Sequence, residues 1–516
     1  MVGAGAAGAA AAWALSRAGV EVCCLEQGDW VDHAAAPTLG EDWEARRQRD
    51  RHPNPNVRAL PSDYPVNDAD TPLQPSMYNA VGGSTIHWGA HFPRFRPSDF
   101  CTATLDGVGD DWPIGYRDLD AAYAANDRAV GVSGLAGDPA NPPRPPRAMG
   151  PIDPGPGAVR IAGAFNRLGW HWWPSDAAVA TRPYEGRGAC NNCGPCDLGC
   201  PQLARSSADV TYWPAALAAG ARLHTRARVA EITTDPRGRA SGARYYDAEG
   251  REHHQPASAV VLAANGVGTA RLLLLSGLAN SSGLVGRRLM HHVTAMVTGI
   301  FDEDLAAYAG PFAMSIVSQE FYETDPSRGF ARGFQLQLMR GDGPLGTALG
   351  TYLPRLPWGA RHHAEHREQL GRTATLIVTA EDLPEEHNRV TIDPSLRDGD
   401  GIPAPALHYR VSENSGRIVD FGIERAGEAL REAGARTIVE RRLVNPTGFH
   451  LLGTARMGDD PARSVVDGWC RSHDVPNLYV IDGSVFVTCA AVNPTSTIQA
   501  IALRAAQRLA STRGRG

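Results

Sequence analysis

Gly3, Gly5 and Gly8 stand in the pattern G-x-G-x-x-G within the first eight positions of a 516-residue chain. In a strand–turn–helix unit each glycine has its own duty. The first closes the tight turn, the second lets a pyrophosphate approach the backbone, and the third lets the helix pack on the sheet. The flanking residues support that unit. Ala6 to Arg17 reads as a helix, Gly19 ends it, and VEVCCLE reads as a second strand closing on Glu26. An acid at that point is placed to hold ribose hydroxyls. A strand of about five residues should precede Gly3. Only Met1 and Val2 stand there, so the strand is expected to begin upstream of this sequence.

A second unit of the same kind follows far along the chain. SAVVLAANGVGTARLLLLSG, from Ser258 to Gly277, reads as a buried strand, a glycine turn and an apolar helix. Between about Gly299 and Arg442 the pattern changes to short β-like segments, FQLQLM, TATLIVTA and NRVTI, then a helix from an N-cap at Ser412 to Ala433. PPRPPRAMGPIDPGPG, from Pro142 to Gly157, reads as an extended surface connection. A chain this long divides into two to four units at roughly 100–200 residues each. The expected class is α/β with an α+β insert: a discontinuous Rossmann-like domain, plus a substrate domain with an antiparallel sheet and helices on one face.

Four segments together resemble the glucose–methanol–choline (GMC) family of flavin oxidoreductases. They are VGAGAAG…CCLEQG, NAVGGSTIHWGAHFPRFRPSDF, AANGVGTARLLLLSG…GLVGRRLMHH, and the long block from HLLGTARMGDD to PTSTIQAIALRAA. The resemblance implies FAD. By position, Gly3, Gly5 and Gly8 would flank the pyrophosphate, Glu26 the ribose and Val229 the adenine. Gly82, Gly83 and Ser84 would approach the flavin, and Asp482 and Gly483 the pyrophosphate and ribityl chain. Asn493, Pro494 and Thr495 would open a final helix aimed at the flavin, whose positive end suits an anionic reduced ring. The implied division is 1–150 for the first part of the FAD-binding domain and 151–188 for a connection shared with the substrate domain. Residues 189–298 would hold a cysteine cluster and the second FAD-binding part, 299–442 the substrate domain, and 443–516 the third part with the catalytic residues.

The family's catalytic pair, a His in His-x-x-Gly-Thr and a second His or Asn near the C-terminus, falls on His450 and Asn493. Oxidising an alcohol moves a hydride from carbon to flavin N5, and the hydroxyl proton must leave as well. An imidazole accepts that proton, and a carboxamide holds the substrate oxygen. His87, in a G-G-x-x-x-His stretch, resembles the site where some members bind flavin covalently. His91, His291, His292 and His473 carry no implied role and are expected to be structural.

Cys190, Cys193, Cys196 and Cys200 are spaced C-x2-C-x2-C-x3-C-P, as in ferredoxins. Four readings are open: a ferredoxin-like cluster, a zinc site, unliganded thiols, or the three-iron cluster that some bacterial sugar dehydrogenases of this family carry on an x5, x3 spacing. An iron–sulfur cluster would pass electrons to an acceptor protein; without one, O2 or a small quinone would reoxidise the flavin.

A net charge of −6 with no basic stripe argues against nucleic acid as a partner, and no uncharged apolar run reaches membrane-spanning length. Met1 to Ser16 lacks the basic start of a signal peptide, and a cytoplasmic location is the expectation. The expected activity is oxidation of an alcohol group on a sugar, polyol or sugar-like compound. Trp170, Trp172, Trp173, Tyr352 and Trp358 are candidate stacking faces for a sugar ring, or else core aromatics. Two alternatives stay open: an apolar alcohol or sterol as substrate, and a non-catalytic electron-relay flavoprotein.

Overall fold

The computed structural model describes residues 1–512 except 37, 39, 41, 312–314 and 352. Its organising element is a parallel sheet assembled from distant stretches of chain. Cys23–Leu25 pairs parallel with Arg222–His224, and Val260–Leu262 pairs parallel with Leu478–Val480. Val2 joins the two halves by bridging both Leu25 and Leu262. The helix Ala6–Arg17 packs between the final helix Thr495–Thr512 and the helix Ala208–Ala218. Its buried face is almost all alanine, Ala7 and Ala9 to Ala12, so neighbouring backbones approach closely. A three-stranded antiparallel sheet, Arg228–Thr234, Ala240–Tyr246 and Glu252–Pro256, packs on the helix Asn265–Ser276.

The inserted unit is a six-stranded antiparallel sheet. Its order is Thr437–Arg441, Val293–Ile300, Thr373–Ala380, Phe334–Met339, Ile316–Ser318 and Trp173–Pro174. The strands obey the two-residue alternation of a pleat. Val293, Ala295 and Val297, with Phe334, Leu336, Leu338, Leu376 and Val378, pack against the helices Gly155–Leu168 and Glu413–Glu432. The alternate positions Thr294, Met296, Gln337, Met339, Ile377 and Thr379 face a cavity. Helices therefore cover one face, and the other becomes the wall of a site. Ser412 is the N-cap of the long helix, its side chain accepting from the Ser415 backbone N–H at 3.0 Å.

One local reading differs from the structure, and another gains a detail. NRVTI is not part of the inserted sheet. Arg389–Arg397 pairs with Pro403–His408 and, through it, with Asn67–Asp70, because Val390 and Leu407 pack with Val267 and Ala270 of the helix Asn265–Ser276. The proline-rich connection is extended up to Gly155, yet it is pinned. Arg144 and Arg147 bury their guanidinium groups on Asp176, and Arg147 also reaches Asp127.

Arg332 ties the inserted unit to the segment that leads into it. Its guanidinium is buried, bonds Asp99 and Asp106, and faces Glu381, while Tyr322 donates its hydroxyl to the other oxygen of Asp99 at 2.9 Å. Removing the cation would strand buried carboxylates. Arg332→Leu is expected to cost about 3–5 kcal/mol, read as a lowered urea midpoint. A midpoint within error of wild type would show that the carboxylates are neutralised by other means.

Candidate active site

The glycine turn is as crowded as its sequence implies. Gly3 has φ +96°, and a Cβ there would lie 2.5 Å from the Ala263 carbonyl oxygen; one on Gly8 would lie 2.0 Å from the Gly3 carbonyl oxygen. Gly83, also left-handed, leaves room for Gly5: its Cβ would approach the Gly5 Cα to 2.8 Å. Gly82 turns beside Asp209. The buried Glu26 carboxylate accepts the backbone N–H groups of Ala4 at 2.8 Å and Gly28 at 2.9 Å. Burial raises its pKa against the pull of those donors.

These turns open onto one elongated cavity of about 930 Å³. Gly3, Gly5, Glu26 and Val229 line it, as do Gly83, Ser84, His87, Asp482, Gly483, Asn493, Pro494, Thr495 and His450. Gly8 and Gly82 do not; they shape the turns behind it. Asp482 accepts the Thr269 hydroxyl at 2.5 Å and the Ser484 backbone N–H at 2.9 Å, which fixes the turn carrying Gly483. The final helix begins at Thr495, at the cavity wall. A clustered apolar patch of Met296, Met339, Ile377 and Val444 forms part of the opposite wall, beside Thr294 and Thr379.

Asn493 Oδ1 is held from two sides. His91 Nδ1 lies 2.8 Å away and Gln335 Nε2 donates to it at 3.1 Å. A carboxamide oxygen only accepts, so its NH2 is left for the cavity. His450 stands among three other imidazoles. Its Nδ1 is 2.7 Å from Nδ1 of His292, and His291 and His91 also press on it electrostatically. Burial first, then these neighbours, hold its pKa well below that of ordinary histidine, so the ring is neutral near pH 7.

Comparison with known proteins places this geometry in a family. The GMC oxidoreductase models match residues 174–294 and 384–502, and the NAD(P)-binding Rossmann-like domain model matches residues 1–60. The chain is 43% identical to the 2-methyl-1,2-propanediol dehydrogenase of Mycolicibacterium austroafricanum, over 98% of this chain and 93% of that one. It belongs to the GMC oxidoreductase family. A 6'''-hydroxyparomomycin C oxidase of Streptomyces lividus is 32% identical, covering 99% of this chain and 91% of the relative. Pyridoxine 4-oxidase from Mesorbium loti shares the fold, with TM-score 0.67 at 16% identity over 98% of both chains. Membership in the GMC family, with its Rossmann-like domain, implies FAD. The glycine cradle, where a Cβ would close the groove, fits a dinucleotide.

The tetracysteine segment of this GMC chain does not form an evident metal centre. Cys190, Cys193, Cys196 and Cys200 line one hollow of about 20 Å³. Among the described residues no group of three or more His, Cys, Asp or Glu side chains is disposed to hold a metal ion, so the iron–sulfur expectation is not supported there. Burial raises the Cys190 and Cys193 thiols. Cys200 Sγ accepts the Arg205 backbone N–H at 3.4 Å. The segment also braces the cavity, since the Asp197 carbonyl oxygen bonds Nδ1 of His87.

Of the histidines expected to be structural, His91 lines the cavity and bonds Asn493, and His292 lies behind the lining against His450. Their partners lie 402 and 158 residues away, so no local signal marked them. His473 remains structural, bonding Ser464 and the Gly458 carbonyl. None of the four described tryptophans singled out for sugar stacking lines the cavity. Trp170 packs against Phe165 and Phe321, Trp172 bonds Asn166, Trp173 bonds the Leu135 carbonyl, and Trp358 lies exposed on His362. Tyr352 lies outside the described residues.

Behind the histidines, Asp382 accepts from the His291 backbone at 3.0 Å and from the hydroxyls of Tyr409 at 2.8 Å and Ser415 at 3.2 Å. Burial still pushes its pKa up to about 7. The folded state therefore favours its protonated form. This contribution to stability is complete below the ordinary carboxylate range and is lost as pH rises through about 7. Between pH 5 and 8 the urea midpoint of wild type should fall more steeply than that of Asp382→Asn. Parallel profiles would remove Asp382 from this account.

Proposed function

We propose that the chain is an FAD-dependent alcohol oxidoreductase in which His450 takes the hydroxyl proton of the substrate and Asn493 holds its oxygen. The observation that carries the reading is that these two side chains, 43 positions apart, line one cavity together with Pro494, Thr495, Gly83 and Ser84. On this reading Gly3, Gly5, Gly8, Asp482 and Gly483 hold the pyrophosphate and ribityl region, Glu26 and Val229 the adenosine end, and Gly82, Gly83, Ser84 and His87 the flavin side. When bound, FAD accepts the hydride from the substrate carbon. The protein supplies the rest. A neutral imidazole receives the proton, so the product leaves as a carbonyl rather than a protonated one. The Asn493 amide fixes the oxygen and hence the carbon that gives up hydride.

The cavity favours a compact polyol or sugar-like alcohol with an apolar flank. Polar Thr294, Thr379 and Gln337 stand on the cavity wall beside the patch of Met296, Met339 and Ile377. The relatives named for 2-methyl-1,2-propanediol and for a hydroxylated paromomycin support this class. Retention of both His450 and Asn493 counts against a non-catalytic relay.

His450→Ala should keep its flavin but lose about 10²–10⁴-fold in the rate of anaerobic flavin bleaching by substrate. Near-normal bleaching would remove His450 as the base. A panel of diols, sugars and long-chain alcohols, read by the same bleaching, tests the substrate class; preference for the long chains would reverse it.

A second reading concerns the exit of electrons. Arg205 is buried beside the tetracysteine hollow with Nε and Nη2 unpartnered, and the same segment touches His87. A buried guanidinium beside Cys196 and Cys200 supports a negatively charged centre there, which would lead to a protein acceptor. Stoichiometric iron and acid-labile sulfide in anaerobically purified protein is the expected result. Their absence would assign reoxidation to O2 or a small quinone.

A further inference from the structure

Two distances decide which nitrogen of His450 can take a proton. The segments that carry the two histidines run antiparallel. Met290 and Leu452 exchange backbone hydrogen bonds at 3.0 and 3.2 Å, and the same register sets residue 292 opposite residue 450. His292 Nε2 lies 2.8 Å from the Ala490 carbonyl oxygen. A carbonyl only accepts, so that nitrogen carries hydrogen. Burial pushes the His292 pKa down to about 4, so the ring is neutral and its Nδ1 is a bare lone pair. That lone pair lies 2.7 Å from Nδ1 of His450. Two bare nitrogens would repel at this distance, so His450 Nδ1 supplies the hydrogen between them.

We infer that His292 is a positioning residue that holds His450 as its Nδ1–H tautomer, leaving the Nε2 lone pair free for the substrate proton. Among the described residues Nε2 of His450 has no hydrogen-bond partner, and His450 lines the cavity. The ring planes stand 89° apart with centroids at 4.7 Å, and Phe449 closes another side of the His450 ring edge-on. Rotation that exchanged the two nitrogens would break the bond to His292.

The inference rests on the proposed function for its chemistry. The alcohol O–H bond breaks and an Nε2–H bond forms, while the carbon gives its hydrogen and electron pair to the flavin. The carbon is oxidised by two electrons and the flavin reduced by two. His450 becomes an imidazolium whose Nδ1–H now donates with charge assistance to a neutral acceptor, which strengthens the bond. His292 passes no proton on, because its other nitrogen already donates to a carbonyl. It holds the base; it does not relay.

The test uses the flavin-loaded protein labelled with 15N-histidine, with His450 assigned by its loss in His450→Gln. The expected spectrum shows a protonated Nδ1 and a bare Nε2 on His450. In His292→Leu that preference should disappear, and anaerobic bleaching should slow by about 10- to 100-fold, less than on removing the base itself, with KM within about twofold. His292→Asn, whose side-chain oxygen can accept where Nδ1 did, should recover most of the rate. A proton on Nε2 of His450 in wild type, or bleaching at the wild-type rate in His292→Leu, would overturn the inference. Should His292→Leu fail to fold, the wild-type spectrum and His292→Asn decide. Normal bleaching in His450→Ala would instead defeat the base assignment, while the spectrum would still judge the tautomer.

Discussion

The site exists because backbone meets backbone where a side chain would stand in most folds. Gly3 lies against Ala263, Gly8 against Gly3, and Gly5 against Gly83. Each contact closes a distance that a Cβ would hold open. Together they draw the first helix, the parallel sheet and the left-handed Gly82-Gly83 turn around one long groove. At such a groove a flexible anionic cofactor meets N–H groups rather than side chains. The alanines of the first helix serve the same end, letting it nest between two other helices. Everything that could act as chemistry is then brought to the far end of that groove by longer connections.

At that end the electrostatics are severe. Three imidazoles, those of His91, His291 and His292, and several carboxyl groups are buried around the half-buried His450, where little water shares their charge. Burial keeps the imidazoles neutral and raises Glu381 and Asp382. Neutral rings are what proton uptake requires, because a ring that is already protonated has no lone pair to give. Arg332 supplies a compensating charge to Asp99 and faces Glu381.

The inserted sheet shows how one period can serve two ends. Its strands alternate strictly. Odd and even positions divide between a helix-covered apolar core and a wall of threonine, methionine and glutamine. That division was open to reading in TATLIVTA and FQLQLM, whose runs look fully buried, only as far as the strands themselves. Which face met the helices depended on where Glu413–Glu432 docked. NRVTI shows the same limit. It was recognisable as a strand, but its sheet was chosen by a helix more than a hundred residues earlier in the chain.

What the sequence determined by itself is local and covalent in origin. Glycines stood where φ is positive or contact is closest, a serine capped the long helix, and the strand–turn–helix units lay in recognisable spacings. Each of these is set by neighbours within a few residues. The tertiary structure decided the rest: which histidines surround His450, what grips the oxygen of Asn493, that Trp170, Trp172, Trp173 and Trp358 stand away from the cavity, and that four cysteines share one hollow. The physical reason is that hydrogen bonds of 2.7 or 2.8 Å between residues 158 and 402 positions apart depend on how whole elements pack, and no local pattern encodes that packing.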